Sequence, residues 1–533
     1  MILFGKDIDN MSFEAARIFS NNMVLQSNKL LNVFGTGTDG AKLVVSITGE
    51  EAAQTTVTVR DGRWLAVLPP QPIQDCVELS VTDGQNTVTF RNIAVGEVWL
   101  AGGQSNMEYE LRNCTTGSRS LEQDNPNVRF FYTQKKSIAD ETFFETEKNS
   151  GWCEFSDKNS AQYWSAVGYY FAKKLSAELN CAVGIIGCNW GGSSASAWIK
   201  SEYADGETSI YFDEYRAAVA GKSLEQLMQE YREYQQYHAA WEKKSAEYYS
   251  TAENPTWDGC LEYCGENMYP GPPSPLNPMS PGVLHESMVE RIAPYTMAGV
   301  IWYQGESDDH RPEMYRKLLS QLIRNWRDDW SDDELFFVIG QLPMHRWSAD
   351  EDRKNWCVIR EAQAEVCRTV QNTALAVLTD CGEFNEIHPK NKLLPGERFA
   401  LAAMNGCYAI DYTESTDEPT ASPEARGILW GSDGADIFIS TASELVVRGD
   451  KGITGFEIAG ADGEYVAAKA EFADKEAWHA DEGVAIIHVS GVTDPVSVRY
   501  LWTNYTDEFS LYDDENGIPM PPFILTKPAY KGK

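Results

Sequence analysis

Gly103-Gln104-Ser105-Asn106-Met107 follows the apolar run Val98-Trp99-Leu100-Ala101. The run reads as a buried strand, and a serine just past its end, behind glycines, reads as a nucleophile on a tight turn. A helix N-cap is the plain alternative for a serine so placed. No glycine stands two residues after Ser105, so this is not the G-x-S-x-G elbow of α/β-hydrolases. A serine nucleophile needs a base, an orienting acid and donors for an oxyanion. Three later segments, each after an apolar run, supply such groups: Asn189-Trp190-Gly191-Gly192-Ser193-Ser194, Gln304-Gly305-Glu306-Ser307-Asp308, and Asp380 through Pro389. Paired glycines let backbone N–H groups approach a ligand with no Cβ in the way. Of seven histidines, His388 is the best base, because it follows the last apolar run and lies beside carboxylates.

These groups need a scaffold that brings them to one edge. Val98–Ala101, Ala182–Cys188, Ala298–Tyr303, Leu335–Leu342 and Thr373–Leu378 read as buried strands, with helical patterns at Ala161–Leu179, Pro312–Trp326 and Asn355–Val370 between them. The alternation predicts an α/β fold with a parallel sheet covered on both faces, spanning residues 94–423. An excursion at about 200–285 carries the charged helical segment Leu224–Tyr248 and the proline-rich stretch Pro270–Pro281. Residues 1–93 and 424–533 read as β, in short alternating runs broken by Gly, Asp and Asn, which predicts a small β-sandwich-like domain at each end. The proline-rich tail Pro519-Met520-Pro521-Pro522 is expected to fold back onto the body. Gly35-Thr36-Gly37-Thr38-Asp39-Gly40 matches a dinucleotide-binding pattern, but a strand follows where a helix is required, so it reads as a hairpin loop.

With 533 residues, 43% apolar and 12% aromatic, the chain has ample material for several packed cores. A net charge of −34 disfavours nucleic acid and anionic membrane surfaces as partners. The segment Met1-Ile2-Leu3-Phe4-Gly5-Lys6-Asp7 turns polar too soon for a secretory leader, and no run is long enough for a membrane span. Eleven scattered cysteines, an odd number, suit reduced thiols and a cytoplasmic setting. Cys260 and Cys264 lack a second ligand pair for zinc. The chemistry requires no metal or organic cofactor. The oligomeric state stays open, a dimer included.

Taken in order, Gly-Gln-Ser-Asn-Met, Trp-Gly-Gly, Trp-Tyr-Gln-Gly-Glu-Ser and Ile-His-Pro closely resemble the sialate O-acetylesterase-like branch of the SGNH hydrolases. Arg360-Glu361-Ala362-Gln363 and Lys390-Asn391-Lys392 match that branch too. The resemblance covers about residues 95–410 well and the flanking β-domains more loosely. It implies an SGNH-type three-layer α/β/α core, with Ser105 as nucleophile and His388 as general base. The implied oxyanion donors are the Ser105 N–H, the Gly192 N–H, with Gly191 the near alternative, and the Gln304 amide. The acid departs from the family pattern. Asn385 stands where many SGNH enzymes carry Asp, and Glu386 where this branch has Asp. In an extended loop Glu386 would share a side with His388; Asp380 is the rival, and a Ser–His dyad with a backbone or water partner is the third reading. Trp190, Tyr303, Glu306 and His285 are candidate substrate contacts, each with a purely structural alternative, and a buried loop-holding network is favoured for Glu306. Leu284-His285-Glu286-Ser287-Met288 departs from the relatives' Tyr-Asn-Gly-Met and implies a different pocket rim. The function expected is removal of O-acetyl groups from acetylated sugars or oligosaccharides, sialic acid or hemicellulose-derived. The alternatives are a carbohydrate-binding protein on an inactive core, or a short-chain lipase or thioesterase.

Overall fold

Six strands form one parallel sheet, and the stretches that pair in it are mostly apolar on both sides, as burial on two faces demands. They are β1 (Thr87–Gly103), β2 (Val128–Tyr132), β3 (Val183–Asn189), β4 (Gly299–Tyr303), β5 (Phe336–Gln341) and β6 (Thr373–Val377). The order across the sheet is β2-β3-β1-β4-β5-β6, and a short antiparallel strand, Cys153–Glu154, lies beyond β2. The chain fills one side of β1 and then crosses to the other, which opens a crevice at the C-terminal ends beside β1. The computed structural model describes residues 12–138, 140–253, 256–348, 350–408, 422–473, 478–479 and 484–528; the segment Met1–Asp7 lies outside them.

Among the helices are α1 (Ser105–Glu108), α2 (Ala166–Leu179), α3 (Leu224–Thr251), α4 (Trp257–Cys264), α5 (Tyr315–Trp330), α6 (Asn355–Thr369) and α7 (Leu393–Gly406). Trp302 lies level with Gly102 and packs on Trp326 of α5. Trp99, three residues before Gly102 and so on the opposite face, packs on Phe171 of α2. Helices α2 and α7 pack together over one face, and α5 and α6 over the other, which completes the three-layer α/β/α core. The expected helix over 161–179 is split because Ser165 accepts from the Gly168 N–H and caps α2. Its counterpart over 312–326 begins with a 3-10 turn at Pro312–Met314 and then runs on to Trp330.

The excursion includes a helical hairpin of α3 and α4. Ser223 and Gln226 form a capping box at the start of α3, whose one buried stripe carries Leu227, Tyr231, Tyr234 and Trp241. Cys260 and Cys264 are buried against Trp241 with their sulfurs 3.7 Å apart. Among the described residues, no group of three or more His, Cys, Asp or Glu is placed to hold a metal, and no helix is long and apolar enough to cross a membrane.

The two end regions are β, and they join the core differently. The N-terminal strands connect through β1 itself, whose first half pairs with Gln74–Thr82 and whose second half is the centre of the parallel sheet. Gly35 and Gly37 lie within the strand Leu31–Gly37, and the following turn leads into a strand of a different sheet, so the segment is a corner between sheets and not a hairpin. The C-terminal region closes its own core around Ile437, Ile458, Ile487, Val498 and Tyr500. Its tail folds back, with Ile518 packed into the main core and Met520 into the C-terminal one.

Candidate active site

Gly103 is level with both Asn189 and Tyr303, so the loops after β1, β3 and β4 leave from one row. Gly103 has φ of 131°, and a Cβ there would stand 2.1 Å from the Tyr303 carbonyl oxygen, so only glycine fits. The Gln104 N–H donates to that same carbonyl at 3.1 Å, and Gln104 Oε1 accepts from the Ser307 N–H at 3.2 Å. Gln104 occupies the cap position of α1, so Ser105 is the first helical residue and not the N-cap. Ser105 Oγ lies 2.8 Å from His388 Nε2. A serine after the central strand and a histidine after the last strand thus meet at hydrogen-bond distance.

The glycine loop after β3 sits against the serine. A Cβ on Gly191 would be 3.3 Å from Ser105 Cβ. Glu108, one turn after Ser105, accepts the Gly191 N–H at 2.6 Å and pairs with Lys135 at 2.5 Å. That bond takes Gly191 out of use as a donor. Among the described residues, neither the Ser105 nor the Gly192 N–H has a protein acceptor. Tyr269, from the loop after α4, donates its hydroxyl to the Gly192 carbonyl at 3.2 Å.

Gln304 does not serve as the implied third donor in this arrangement. It is fully buried, and its Nε2 faces Asp308 Oδ2 at 2.7 Å, the Ser193 carbonyl at 3.1 Å and Gln104 Oε1 at 3.2 Å. Asp308 also accepts from Ser194 Oγ at 2.6 Å and the Ala195 N–H at 2.9 Å. The Gln304 amide and the Asp308 carboxylate therefore tie the loops after β1, β3 and β4 together.

His388 lies in the loop between β6 and α7 and is half-buried. Burial lowers its pKa below the usual histidine value, and the nearby Lys392 cation lowers it further, against the opposing pull of Glu386. Glu386 is on the expected side of the loop, but its carboxylate accepts the backbone N–H of His388 at 2.8 Å. Among the described residues, no side chain bonds the ring Nδ1 of His388. Asp380 is turned away from the histidine: it forms an ion pair with Arg398, whose Nη2 is 2.9 Å from Asp380 Oδ2. A buried guanidinium holds a carboxylate more firmly than an imidazole two segments away. A second histidine, His345, stands nearby; it is buried, with a lowered pKa, and its Nδ1 is 3.4 Å from the Glu383 carbonyl.

The remaining candidates divide by exposure. Trp190 is half-buried in the glycine loop and stays a candidate contact. Tyr303 is buried beneath the site against Phe399, and Glu306 is buried and bonded to Asn106, so neither faces a substrate. His285 is also buried; its Nε2 is 2.7 Å from Asp329, so it links two helices and does not line the rim. Reading the sequence alone passed over Glu108, Asp308 and Asn106. Glu108 had one faint signal, since three residues after Ser105 on a helix puts both on one side.

The fold, the site and comparison with known proteins together mark a carboxylic ester hydrolase. Residues 277–403 match the family described as carbohydrate esterase, sialic acid-specific acetylesterase. The chain is 23% identical to the human sialate O-acetylesterase over 98% of its own length and 94% of the relative. The mouse sialate O-acetylesterase is likewise 23% identical, over 96% and 94%. A crystal structure of a carbohydrate acetylesterase from Xanthomonas citri superposes with a TM-score of 0.73 at 25% identity, covering 96% of this chain and 99% of that one.

Proposed function

We propose that the chain is a serine carbohydrate esterase that removes O-acetyl groups from acetylated sugars or oligosaccharides through an acetyl-enzyme. The observation that carries the reading is the 2.8 Å contact between Ser105 Oγ and His388 Nε2, beside two unengaged backbone N–H groups. Ser105 attacks the acetyl carbonyl while His388 takes its proton, so the C–O bond to serine forms as the imidazolium forms. The oxyanion sits on the N–H groups of Ser105 and Gly192. His388 then gives its proton to the departing sugar oxygen, and a water deprotonated by His388 releases acetate.

The sugar class rests on the relatives, one set of which is described as acting on sialate and another as acting on carbohydrate. Acetylated hemicellulose fragments are the other members of the proposal. The eleven cysteines are unpaired, which supports a reducing, cytoplasmic setting for the enzyme. Ser105→Ala is expected to lower kcat/KM for p-nitrophenyl acetate by about 10⁴-fold or more with the fold intact. Near-normal turnover in that variant would remove Ser105 from the reaction. A panel of acetylated sialic acids, xylo-oligosaccharides and manno-oligosaccharides, read by mass loss, assigns the substrate.

A further inference from the structure

The side chain of Asn106 makes three contacts that tie the two halves of the site together. Its Nδ2 donates to the Ile387 carbonyl at 3.0 Å, the residue just before His388, and to Glu306 Oε1 at 2.7 Å. Its Oδ1 accepts from Lys392 Nζ at 2.5 Å. Chemistry fixes which way this amide points. The two acceptors, a carbonyl and a carboxylate, need its N–H groups, and the ammonium needs its oxygen. Asn106, Glu306 and Lys392 are all buried, and Lys392 lies 4.9 Å from the centroid of the Tyr109 ring.

The backbone of His388 is therefore gripped on both sides. Asn106 holds the carbonyl before it, and the Glu386 carboxylate holds its own N–H. Resting on the serine–histidine reading above, we infer that Asn106, backed by Lys392 and Glu306, is the positioning residue for His388. It does through the loop backbone what an acid on the ring nitrogen does in a three-member site. The network also carries charge to the histidine. Burial pushes Glu306 up to about 7 and Lys392 down to about 8. The charged and titratable groups facing His388 are Lys392 at the start of α7, Glu386 on its own loop, His345 from the segment after β5, and Glu108 on α1. Lys392 and His345 disfavour the imidazolium, while Glu386 and Glu108 favour it.

The test uses the full chain with p-nitrophenyl acetate and a fluorophosphonate probe. Asn106→Asp keeps the shape but turns an oxygen toward Ile387 and Glu306, and Asn106→Ala removes the grip. Both are expected to lower kcat by about 100-fold with KM within about threefold, because a small misplacement of the base has that effect. The pair Lys392→Met with Glu306→Gln keeps an amide opposite Asn106 and removes the charges. Its acid limb in kcat/KM against pH is expected to move up, since Lys392, the one of the two whose charge lowers the proton affinity of His388, is lost. A purely structural role would lower the rate and leave that limb in place. Wild-type kcat in a folded Asn106→Asp, or an unmoved limb in the Lys392→Met/Glu306→Gln pair, overturns the inference. Should the Asn106 variants not fold, the limb alone decides. If the wild-type chain itself neither labels nor turns over, the serine–histidine reading has failed and not the positioning role.

Discussion

Ser105 and His388 touch, yet the chain holds them by different means. Ser105 is carried by backbone: it leaves the central strand at Gly103, and its turn is bonded to the neighbouring strand at Tyr303. His388 is carried mainly by side chains. Its loop exposes Glu383, Phe384 and Asn385, and is held by Asn106, Glu386 and the segment around His345. The Asn385 N–H donates to the Arg346 carbonyl, and Asn385 Oδ1 accepts from the Ser348 N–H at 2.7 Å. A backbone-held group moves only if the sheet moves. A side-chain-held group is adjusted one substitution at a time, so the tuning of the site is concentrated at the histidine.

The largest effect is expected where the backbone has no slack. Gly103→Ala places a Cβ 2.1 Å from the Tyr303 carbonyl at a φ of 131°. The strain and the clash together are expected to cost about 3 kcal/mol or more. The prediction is a clearly lowered apparent Tm and loss of esterase activity, measured by thermal unfolding and p-nitrophenyl acetate turnover. An unchanged Tm would mean that the two strands can part, and that the backbone does not hold Ser105 rigidly.

The carboxylates of Asp380 and Glu386 should separate next. Asp380→Asn leaves the buried Arg398 unpaired, which is expected to cost about 3 to 5 kcal/mol of stability with little change in the pH profile of the surviving activity. Glu386→Gln is expected to spare stability and lower kcat by less than about tenfold. Its sign on pH follows from the charges. The Glu386 carboxylate raises the proton affinity of His388, so removing it lowers the histidine's pKa further and moves the acid limb of kcat/KM to lower pH. This is opposite to the shift expected on losing Lys392. In both cases activity is expected to fall as the pH drops through the pKa of His388, because a protonated ring could not accept the serine proton. Movement of both limbs in the same direction would exclude this electrostatic account.

The same contrast explains what was legible in the sequence. The strands after which Ser105, Gly192 and Gln304 stand were readable because burial on both faces leaves continuous apolar runs. The strand Val128–Tyr132 was missed because Arg129 interrupts it; that guanidinium reaches back to the backbone carbonyls of Asn22 and Met23. The change of composition near residue 93 falls inside β1, where one strand leaves a half-exposed hairpin and enters a buried sheet. The acid was not legible. Spacing put Glu386 on the right side of the loop, but not which of two hydrogen-bond donors on His388 it would take. Asp380 is claimed by Arg398, and Gln304 by Asp308, through contacts that no local pattern announces.

The smallest effect should come from farthest away. Asn504, in the C-terminal β-region, plugs into the segment behind His345: its carbonyl accepts from the His345 N–H and from Arg360, both at 2.9 Å. Its side chain accepts the Trp356 N–H at 3.1 Å and donates to Asn355 at 2.8 Å. Phe384 of the histidine loop also packs on Tyr505, with ring centroids 5.1 Å apart. The C-terminal region therefore buttresses the side-chain-held half of the site, while the N-terminal region is continuous with the backbone-held half. Asn504→Ala keeps the backbone bonds and strands one buried N–H, at a cost of about 1 to 3 kcal/mol. The expected result is a drop in kcat of about two- to fivefold with Ser105 still labelled by a fluorophosphonate, and an equal substitution on the N-terminal side, Asn32→Ala, should leave kcat unchanged. Asn32 bonds the Pro294 carbonyl at 3.1 Å, so its loss tests the same kind of interdomain bond without the buttress. Equal effects from the two substitutions would show that the C-terminal region contributes only stability.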